Sequence, residues 1–148
     1  MAGRDVWLGN KDIEMTNEHR GKIAFIFPAN AVSGSLKPTL NFTAHGDTLA
    51  ITMGISFIDL NAESSYLVRL NVTSPSGESL LDSGMDAIPP ENIDPARRTS
   101  FLAANMFLIS KESGMHCFRC ELIEMLQTTV DKQEVYFNVF REDENEPT

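Results

Sequence analysis

The stretch TLAITMGISFIDL, residues 48–60, alternates between large apolar and small side chains, and this alternation decides the fold class. Every second position holds a large apolar residue, in the order Leu49, Ile51, Met53, Ile55 and Phe57. The positions between them hold Ala50, Thr52, Gly54 and Ser56. Because successive side chains of a β-strand point to opposite faces, the stretch predicts a strand with one face in the core.

The same period of two recurs towards the C-terminus. YLVRLNVT (66–73) and ESLLD (78–82) flank SPSG, whose proline and glycine occupy the positions preferred in a type I turn. MHCFRCELIEM (115–125) and EVYFNVFR (134–141) predict a closing hairpin over the loop LQTTVDKQ, with core residues Phe118, Cys120, Leu122, Val135, Phe137 and Val139. No long segment shows a sustained helical period, so we expect an all-β domain.

Other segments are less regular. KIAFIF (22–27) predicts a strand that ends at Pro28, followed by a loop to Pro38 and a short strand in TLNFTA (39–44). FLAANMFLISK (101–111) is apolar at successive positions, which predicts a strand buried on one side and covered on the other, with a bulge near Asn105. The proline-bearing segment 83–100 is expected to be a loop without a sheet strand.

This order of strands resembles an immunoglobulin-like domain over about residues 22–141. The resemblance rests on YLVRLNVTSPSGESLL as the middle hairpin and on KESGMHCFRCELI, which is similar to the acidic-x-Gly-x-Tyr-x-Φ start of the penultimate strand. It implies an antiparallel β-sandwich of about seven strands. His116 stands where such domains have a corner tyrosine, although an imidazole can also donate a hydrogen bond. Phe118 replaces the disulfide cysteine of antibody domains.

Length and composition indicate one globular domain. The chain has 148 residues, of which 42% are hydrophobic and 22% charged. We expect a polar N-terminal extension over 1–21, the β-sandwich over 22–141 and an acidic tail over 142–148, which holds four acidic residues and no basic one. A domain of this size buries about two thirds of its unfolded surface, so it needs no disulfide or metal to fold.

The net charge of −9 disfavours binding to DNA, RNA or anionic lipid, because such binding depends on lysine and arginine. The N-terminal segment lacks the uninterrupted apolar stretch of a secretory signal. Two cysteines do not indicate an oxidising compartment. We therefore expect a cytoplasmic protein that binds neither nucleic acid nor membrane.

Cys117 and Cys120 have Cys-x-x-Cys spacing, but a strand turns residues three apart to opposite faces. This predicts a core Cys120 and a surface thiol at Cys117. A metal site that recruits His116 or His45 is the alternative. No nucleophile, base and orienting acid stand in a recognisable motif, so we expect no enzymatic activity, no cofactor and no metal.

Two surfaces are candidates for a protein partner. Alternation predicts an outward sheet face that mixes aromatic, aliphatic and arginine side chains, as interaction hot spots do. Its members are Leu67, Arg69, Arg119, Glu121, Ile123, Tyr136 and Phe140. The alternative is a solvated sheet with cross-strand pairs such as Arg69 with Glu121.

The second surface is the proline-bearing loop together with the N-terminal segment. Its candidate residues are Trp7, Ile88, Ile93, Arg97 and Arg98. Loops on a rigid sandwich commonly bind partners. The alternative is that Ile88 and Ile93 cap the open end of the core.

The sequence therefore predicts a non-enzymatic cytoplasmic protein-interaction module, an accessory or adaptor domain. Its partner would be another protein or a second copy of the chain in a homo-oligomer. One alternative is an acidic inhibitor that mimics nucleic acid, as the net charge suggests. A small metal-dependent hydrolase is a third interpretation.

Overall fold

A computed structural model describes residues 20–125 and 128–142 of the chain. Most of the predicted N-terminal extension, including Trp7, and the tail after Glu142 lie outside the described residues. The described part is built from β-strands and one short 3₁₀ turn at Pro90–Asn92. None of it forms a helix long and apolar enough to cross a bilayer.

The strands follow each other closely along the chain. They are β1 (Lys22–Val32), β2 (Ser35–Pro38), β3 (Asn41–Ala44), β4 (Thr48–Ile58), β5 (Tyr66–Thr73), β6 (Ser79–Asp82), β7 (Asp86–Ile88), β8 (Ser100–Ile109), β9 (Gly114–Glu124) and β10 (Thr128–Arg141).

These strands form two sheets. The four-stranded sheet has the order β2-β1-β4-β8, and the second sheet has the order β3-β10-β9-β5-β6, with β7 also paired to β5. All pairings are antiparallel except that of β3 with β10. The adjacency of β5, β9 and β10 in one sheet and of β4 and β8 in the other matches an immunoglobulin-like sandwich. The predicted all-β, immunoglobulin-like fold is confirmed.

The core lies between the two sheets and contains the residues that the alternating pattern predicted. The inward row of β4 runs from Leu49 to Phe57 and is fully buried. From the other sheet, Phe118, Cys120 and Leu122 of β9 meet it, while Val135 is only partly buried. Phe137 packs edge-on against Phe42, with ring centroids 5.7 Å apart.

The first predicted strand is longer than expected. β1 does not end at Pro28 but continues to Val32, and the predicted loop is a hairpin that turns at Ser33 and Gly34. Pro28 pairs with Met53 of β4. A proline is tolerated here because the pairing of β1 with β2 begins only at Ala29, so no ladder bond to β2 is lost at Pro28.

Two predicted loops also contain strand. The segment 83–100 includes β7, whose Ile88 pairs with Tyr66 of β5. In the closing hairpin, β10 begins at Thr128, so most of LQTTVDKQ is strand and the pairing runs from Glu124 opposite Thr128. Both predictions were wrong because tertiary pairing recruits polar residues that have no strand pattern of their own.

β8 differs most from its prediction. It pairs with β4 without interruption, from Ser100 opposite Phe57 to Ile109 opposite Thr48, so no bulge occurs at Asn105. One face is in the core, but the other face is not covered by the described residues: Phe107 is 80% exposed and Ile109 69%. The apolar run marks an edge strand with an exposed apolar face.

Gly54 allows an aromatic ring to lie flat on the outer face of β4. An ideal Cβ at this position would stand 2.4 Å from Cζ of Phe27, which is closer than real Cβ contacts. The Phe27 ring therefore occupies the space that any other residue at position 54 would need.

We expect Gly54→Ala to destabilise the fold by about 1–3 kcal/mol, the usual cost of overpacking, because Phe27 must leave its position. The same change in a Phe27→Ala background should cost much less, since the clash is gone. Denaturant unfolding of the four proteins measures this coupling. Equal costs in both backgrounds would contradict the close contact.

Candidate functional site

The predicted binding face is formed by three adjacent strands of the second sheet. Arg69 of β5 lies opposite Glu121 of β9, which lies opposite Lys132 of β10. Two residues further along the strands, Asn71 lies opposite Arg119, which lies opposite Glu134. The predicted side chains thus share one outer face, which we call the charged face and define by Leu67, Arg69, Arg119, Glu121, Ile123, Tyr136 and Phe140.

Both arginines of the charged face already have carboxylate partners. Nη2 and Nε of Arg69 donate to the two carboxylate oxygens of Asp82, at 2.9 and 3.2 Å. Nε of Arg119 donates to Oε2 of Glu134 at 2.9 Å. These bonds raise the pKa of each arginine and lower the pKa of Asp82 and Glu134. The predicted pair is not the bonded one, because Arg69 hydrogen-bonds Asp82 rather than Glu121.

The apolar members of the charged face are unequally available. Tyr136 and Phe140 are about half exposed, whereas Leu67 is partly buried. Ile123 is only 6% exposed and offers little to a partner. A groove of about 140 Å³ lies among Arg69, Asn71, Arg119 and Glu121. The face is therefore mainly polar at its centre, and its role in binding stays a prediction.

The loop candidates are mostly engaged within the protein. Ile88 and Ile93 are 7% and 5% exposed and belong to the core, which agrees with the alternative that they cap its open end. Nη1 of Arg97 donates to Asp94 at 2.9 Å. The carbonyl of Arg98 accepts a hydrogen bond from the amide of Leu60. Trp7 lies outside the described residues.

The two cysteines point to opposite sides of β9, as predicted. Both are free; Cys120 is fully buried in the core and Cys117 is partly exposed. Burial raises the pKa of Cys120 to about 12 and also raises that of Cys117, which Glu134 raises further. Within residues 20–125 and 128–142, no group of three histidine, cysteine or acidic side chains is placed to hold a metal ion.

His116 fulfils the corner role that its position predicted. Its Nε2 lies 2.9 Å from Oγ of Ser110 and its Nδ1 lies 3.1 Å from the carbonyl oxygen of Gly114. The ring stacks on Phe137 at a centroid distance of 5.5 Å. A serine beside a histidine can act as a nucleophile, but here both residues are buried. In addition, Nδ1 of His116 faces the carbonyl oxygen of Gly114, where a catalytic histidine would have a carboxylate. The pair anchors the corner.

An exposed apolar surface lies on the other side of the molecule. On the outer face of the four-stranded sheet, Phe27 stacks between Phe25 and Phe101, with both centroid distances at 6.2 Å. Phe25 and Phe101 are each about half exposed. We call this surface the phenylalanine face and define it by Phe25, Phe27, Ile58, Phe101, Phe107 and Ile109.

Two shallow grooves follow the phenylalanine face. One, of about 440 Å³, is lined by Phe25, Ile58 and Phe101, and also by Asn92 and Asp94. The other, of about 420 Å³, runs beside Phe107 and includes Ala50, Thr52 and Asn105. The hydroxyl of Thr52 donates to Oδ1 of Asn105 at 2.7 Å, which holds this amide in place.

The sequence analysis missed this face, although the sequence contains a signal for it. The outward positions of β4 between Ala50 and Ser56 are all small, and such a row leaves space for large side chains from neighbouring strands. Phe101, Phe107 and Ile109 occupy the matching outward positions of β8. The continuous apolar pattern of β8 concealed this alternation.

Comparisons with known proteins identify the fold only. No family model matches the chain, and no curated protein shows significant sequence similarity to it. Among solved structures, a glycosyl hydrolase family 2 member from Bacteroides cellulosilyticus DSM 14838 superposes with a TM-score of 0.57 and 5% identity. A putative β-galactosidase from Bacteroides fragilis gives 0.56 and 10%. A bacterial adhesin from Mobiluncus mulieris gives 0.51 and 9%.

The matches span most of this chain but only part of each matched protein. They cover 79–81% of this chain, but only 15% and 17% of the two enzymes and 57% of the adhesin. The chain therefore resembles a β-sandwich portion of larger proteins. At this level of identity the likeness shows a shared fold and carries no activity with it.

The two thiols should differ sharply in reactivity. Because burial raises its pKa to about 12, we expect Cys120 to resist alkylation in the folded protein at neutral pH. Cys117 should react, but more slowly than the thiol of an unstructured peptide, since its pKa is also raised. Mass spectrometry after iodoacetamide treatment measures this, with Cys117→Ser as the control that abolishes native labelling. Rapid native labelling at Cys120 would contradict its core position.

Glu112 joins the turn after β5 to the segment before β9. Its Oε2 accepts hydrogen bonds from the hydroxyls of Ser76 and Ser74 at 2.6 and 2.7 Å, and its Oε1 accepts one from the Ser76 amide at 3.1 Å. These hydrogen bonds, Ser76 first, lower the pKa of Glu112 below its usual value.

A lowered pKa in the folded state means that ionised Glu112 stabilises the protein above the unfolded pKa of about 4.5 and that this stabilisation disappears as the pH falls through the folded value. We expect Glu112→Gln to lower the unfolding free energy at pH 7 and to match the parent at low pH. Urea unfolding across this pH range measures the difference, with Glu63→Gln as an exposed control. A difference that does not change with pH would exclude the ionised carboxylate as its source.

Proposed function

We propose that this chain is a non-enzymatic protein-interaction module and that the phenylalanine face binds the partner. The observation that carries the proposal is the row of stacked rings in which Phe25 and Phe101 are about half exposed and Phe27 is partly buried between them. Contiguous exposed apolar patches are uncommon on isolated domains and usually mark interaction surfaces. The likeness to portions of larger proteins is compatible with such a module.

Energetics favour this face over the charged face. Complete burial of a phenylalanine side chain stabilises a protein or complex by about 1.5–3 kcal/mol. Because Phe25 and Phe101 are only half buried, a partner that covers them would gain much of this free energy. The guanidinium groups of the charged face instead lie in ion pairs with Asp82 and Glu134, and a partner would have to desolvate those pairs. An apolar partner surface therefore gains more on the four-stranded sheet.

The surroundings of the face define the chemistry of the partner. The groove beside Phe25, Ile58 and Phe101 is also lined by Asn92 and by Asp94, whose carboxylate already pairs with Arg97, so a complementary surface would present mainly apolar side chains with a polar group for Asn92. Phe27 and Phe101 lie on continuously paired stretches of β1 and β8, and Gly54 leaves room for the Phe27 ring to lie close to the sheet. A rigid surface of this kind loses little conformational entropy on binding. A cytoplasmic location stays a prediction.

Paired variants in affinity capture from the source organism test the proposal. We expect Phe25→Ser with Ile58→Ser to abolish the reproducible capture of a partner, because both side chains line the groove. Arg119→Ala with Phe140→Ala, which alters the charged face, should leave capture unchanged. Thermal unfolding of each variant confirms that it is folded. Binding through the phenylalanine face should also change little between low and high salt.

Other results would overturn the proposal. Loss of capture only in the Arg119→Ala, Phe140→Ala variant would assign binding to the charged face. Capture that both variants retain but that weakens steeply with salt would favour the acidic inhibitor that mimics nucleic acid.

A further inference from the structure

The outer edge of β8 is open. One side of this strand pairs with β4 over its full length of ten residues, from Ser100 to Ile109. Among residues 20–125 and 128–142, no strand pairs with its other side. β6 of the opposite sheet approaches β8 without pairing to it. Every second residue of β8 therefore presents an amide and a carbonyl outward.

β8 also lacks the features that usually protect such an edge. Edge strands are normally short or carry charged residues, prolines or bulges that prevent pairing with another chain. The stretch from Ser100 to Ser110 contains no charged residue and no proline, and its pairing with β4 shows no register shift. An uninterrupted, uncharged edge of this length is a template for one more strand.

The sequence of β8 is complementary to itself in the antiparallel direction. If two copies align with Asn105 opposite Asn105, then Ala103 lies opposite Phe107 and Ala104 opposite Met106. Each large side chain meets a small one, which favours cross-strand packing. The remaining pairs are Phe101 with Ile109 and Leu102 with Leu108, which are apolar on both sides.

The lack of charge on β8 allows a second copy to approach its edge. With a net charge of −9, two copies repel each other over most of their surface. The β8 edge is a place where they can meet without facing charges. In the same alignment, Arg98 of one copy lies near both Lys111 and Glu112 of the second copy, so the charges at the two ends of the paired strands are mixed.

We propose that a second copy of this chain adds to the β8 edge in antiparallel orientation, with Asn105 at the two-fold axis. The two four-stranded sheets then form one continuous sheet, and the two phenylalanine faces lie on the same side of it. This inference goes beyond the proposed function and does not depend on it, because it rests on the backbone edge and the register of β8.

Single cysteines test the register directly. Residues opposite each other in an antiparallel pair have Cα atoms about 4.5–5.5 Å apart, which suits a disulfide. In a Cys117→Ser background, Asn105→Cys should therefore give a covalent dimer under mild oxidation. Ala103→Cys is the matched control, because its two copies would stand about 14 Å apart and cannot be linked. Non-reducing electrophoresis and mass spectrometry measure the products.

The pattern of crosslinking decides the outcome. A dimer from Asn105→Cys without one from Ala103→Cys supports the proposal. Equal crosslinking of both, preferential crosslinking of Ala103→Cys, or none at all would overturn the proposed register. Thermal unfolding accompanies each variant because Asn105 accepts the hydrogen bond from Thr52.

Sedimentation of the unmodified chain supplies a second measurement. We expect a concentration-dependent species at twice the 16.4 kDa of one chain. Asn105→Asp keeps an oxygen for Thr52 but places two carboxylates opposite each other, so it should weaken the dimer at least tenfold. Ala50→Asp adds the same charge to the neighbouring inner strand and should weaken it much less. A chain that stays monomeric at all concentrations would overturn the inference.

The two proposals can fail separately. A monomer that still captures a partner through Phe25 and Ile58 would remove the β8 dimer and leave the proposed function intact. If the chain forms the dimer crosslinked at position 105 but the Phe25→Ser, Ile58→Ser variant still captures its partner, the dimer stands and the proposed function fails.

Discussion

The inward row of β4 sets the conditions for the rest of the structure. Its five large side chains, from Leu49 to Phe57, fill the space between the sheets, and the period of two then turns Ala50, Thr52, Gly54 and Ser56 outward. Because this outward row is small, rings from β1 and β8 can lie over β4 from both sides. Gly54 is the limiting case, since even a methyl group would meet Phe27. The core and the phenylalanine face are thus two consequences of one alternating strand.

Local patterns predicted most of the core but not the order of strands at the sheet edges. The alternation of β4, β5, β9 and β10 is visible in the sequence and agrees with the structure. β8 was misinterpreted because an apolar run is the same whether both faces are buried or one face is exposed at an edge. The buried positions of Ile88 and Ile93 likewise depend on the pairing of β7 with β5, which is a nonlocal contact. Such information is absent from any single segment.

The two outer faces of the sandwich are chemical opposites. On the charged face, Arg69 and Arg119 pair with carboxylates on neighbouring strands, and exposed pairs of this kind add little stability. Because of these pairs, the arginines of this face already have polar partners when the face is exposed to water. On the phenylalanine face, water contacts rings that have no polar group to offer. The predicted hot-spot composition was present on the charged face, but the self-pairing of its arginines depends on Asp82 and Glu134, whose positions only the strand register reveals.

β8 differs in length and composition from the other described edge strands. β2, β3 and β6 have four residues each, and β2 carries Lys37 and Pro38 while β6 ends at Asp82. Short strands, and strands that carry charges or proline, are poor templates for pairing, so these edges are protected. β8 has ten residues and none of these features, and it carries Phe107, the most exposed large apolar side chain among the described residues. An open edge and an exposed apolar face therefore meet on the same strand.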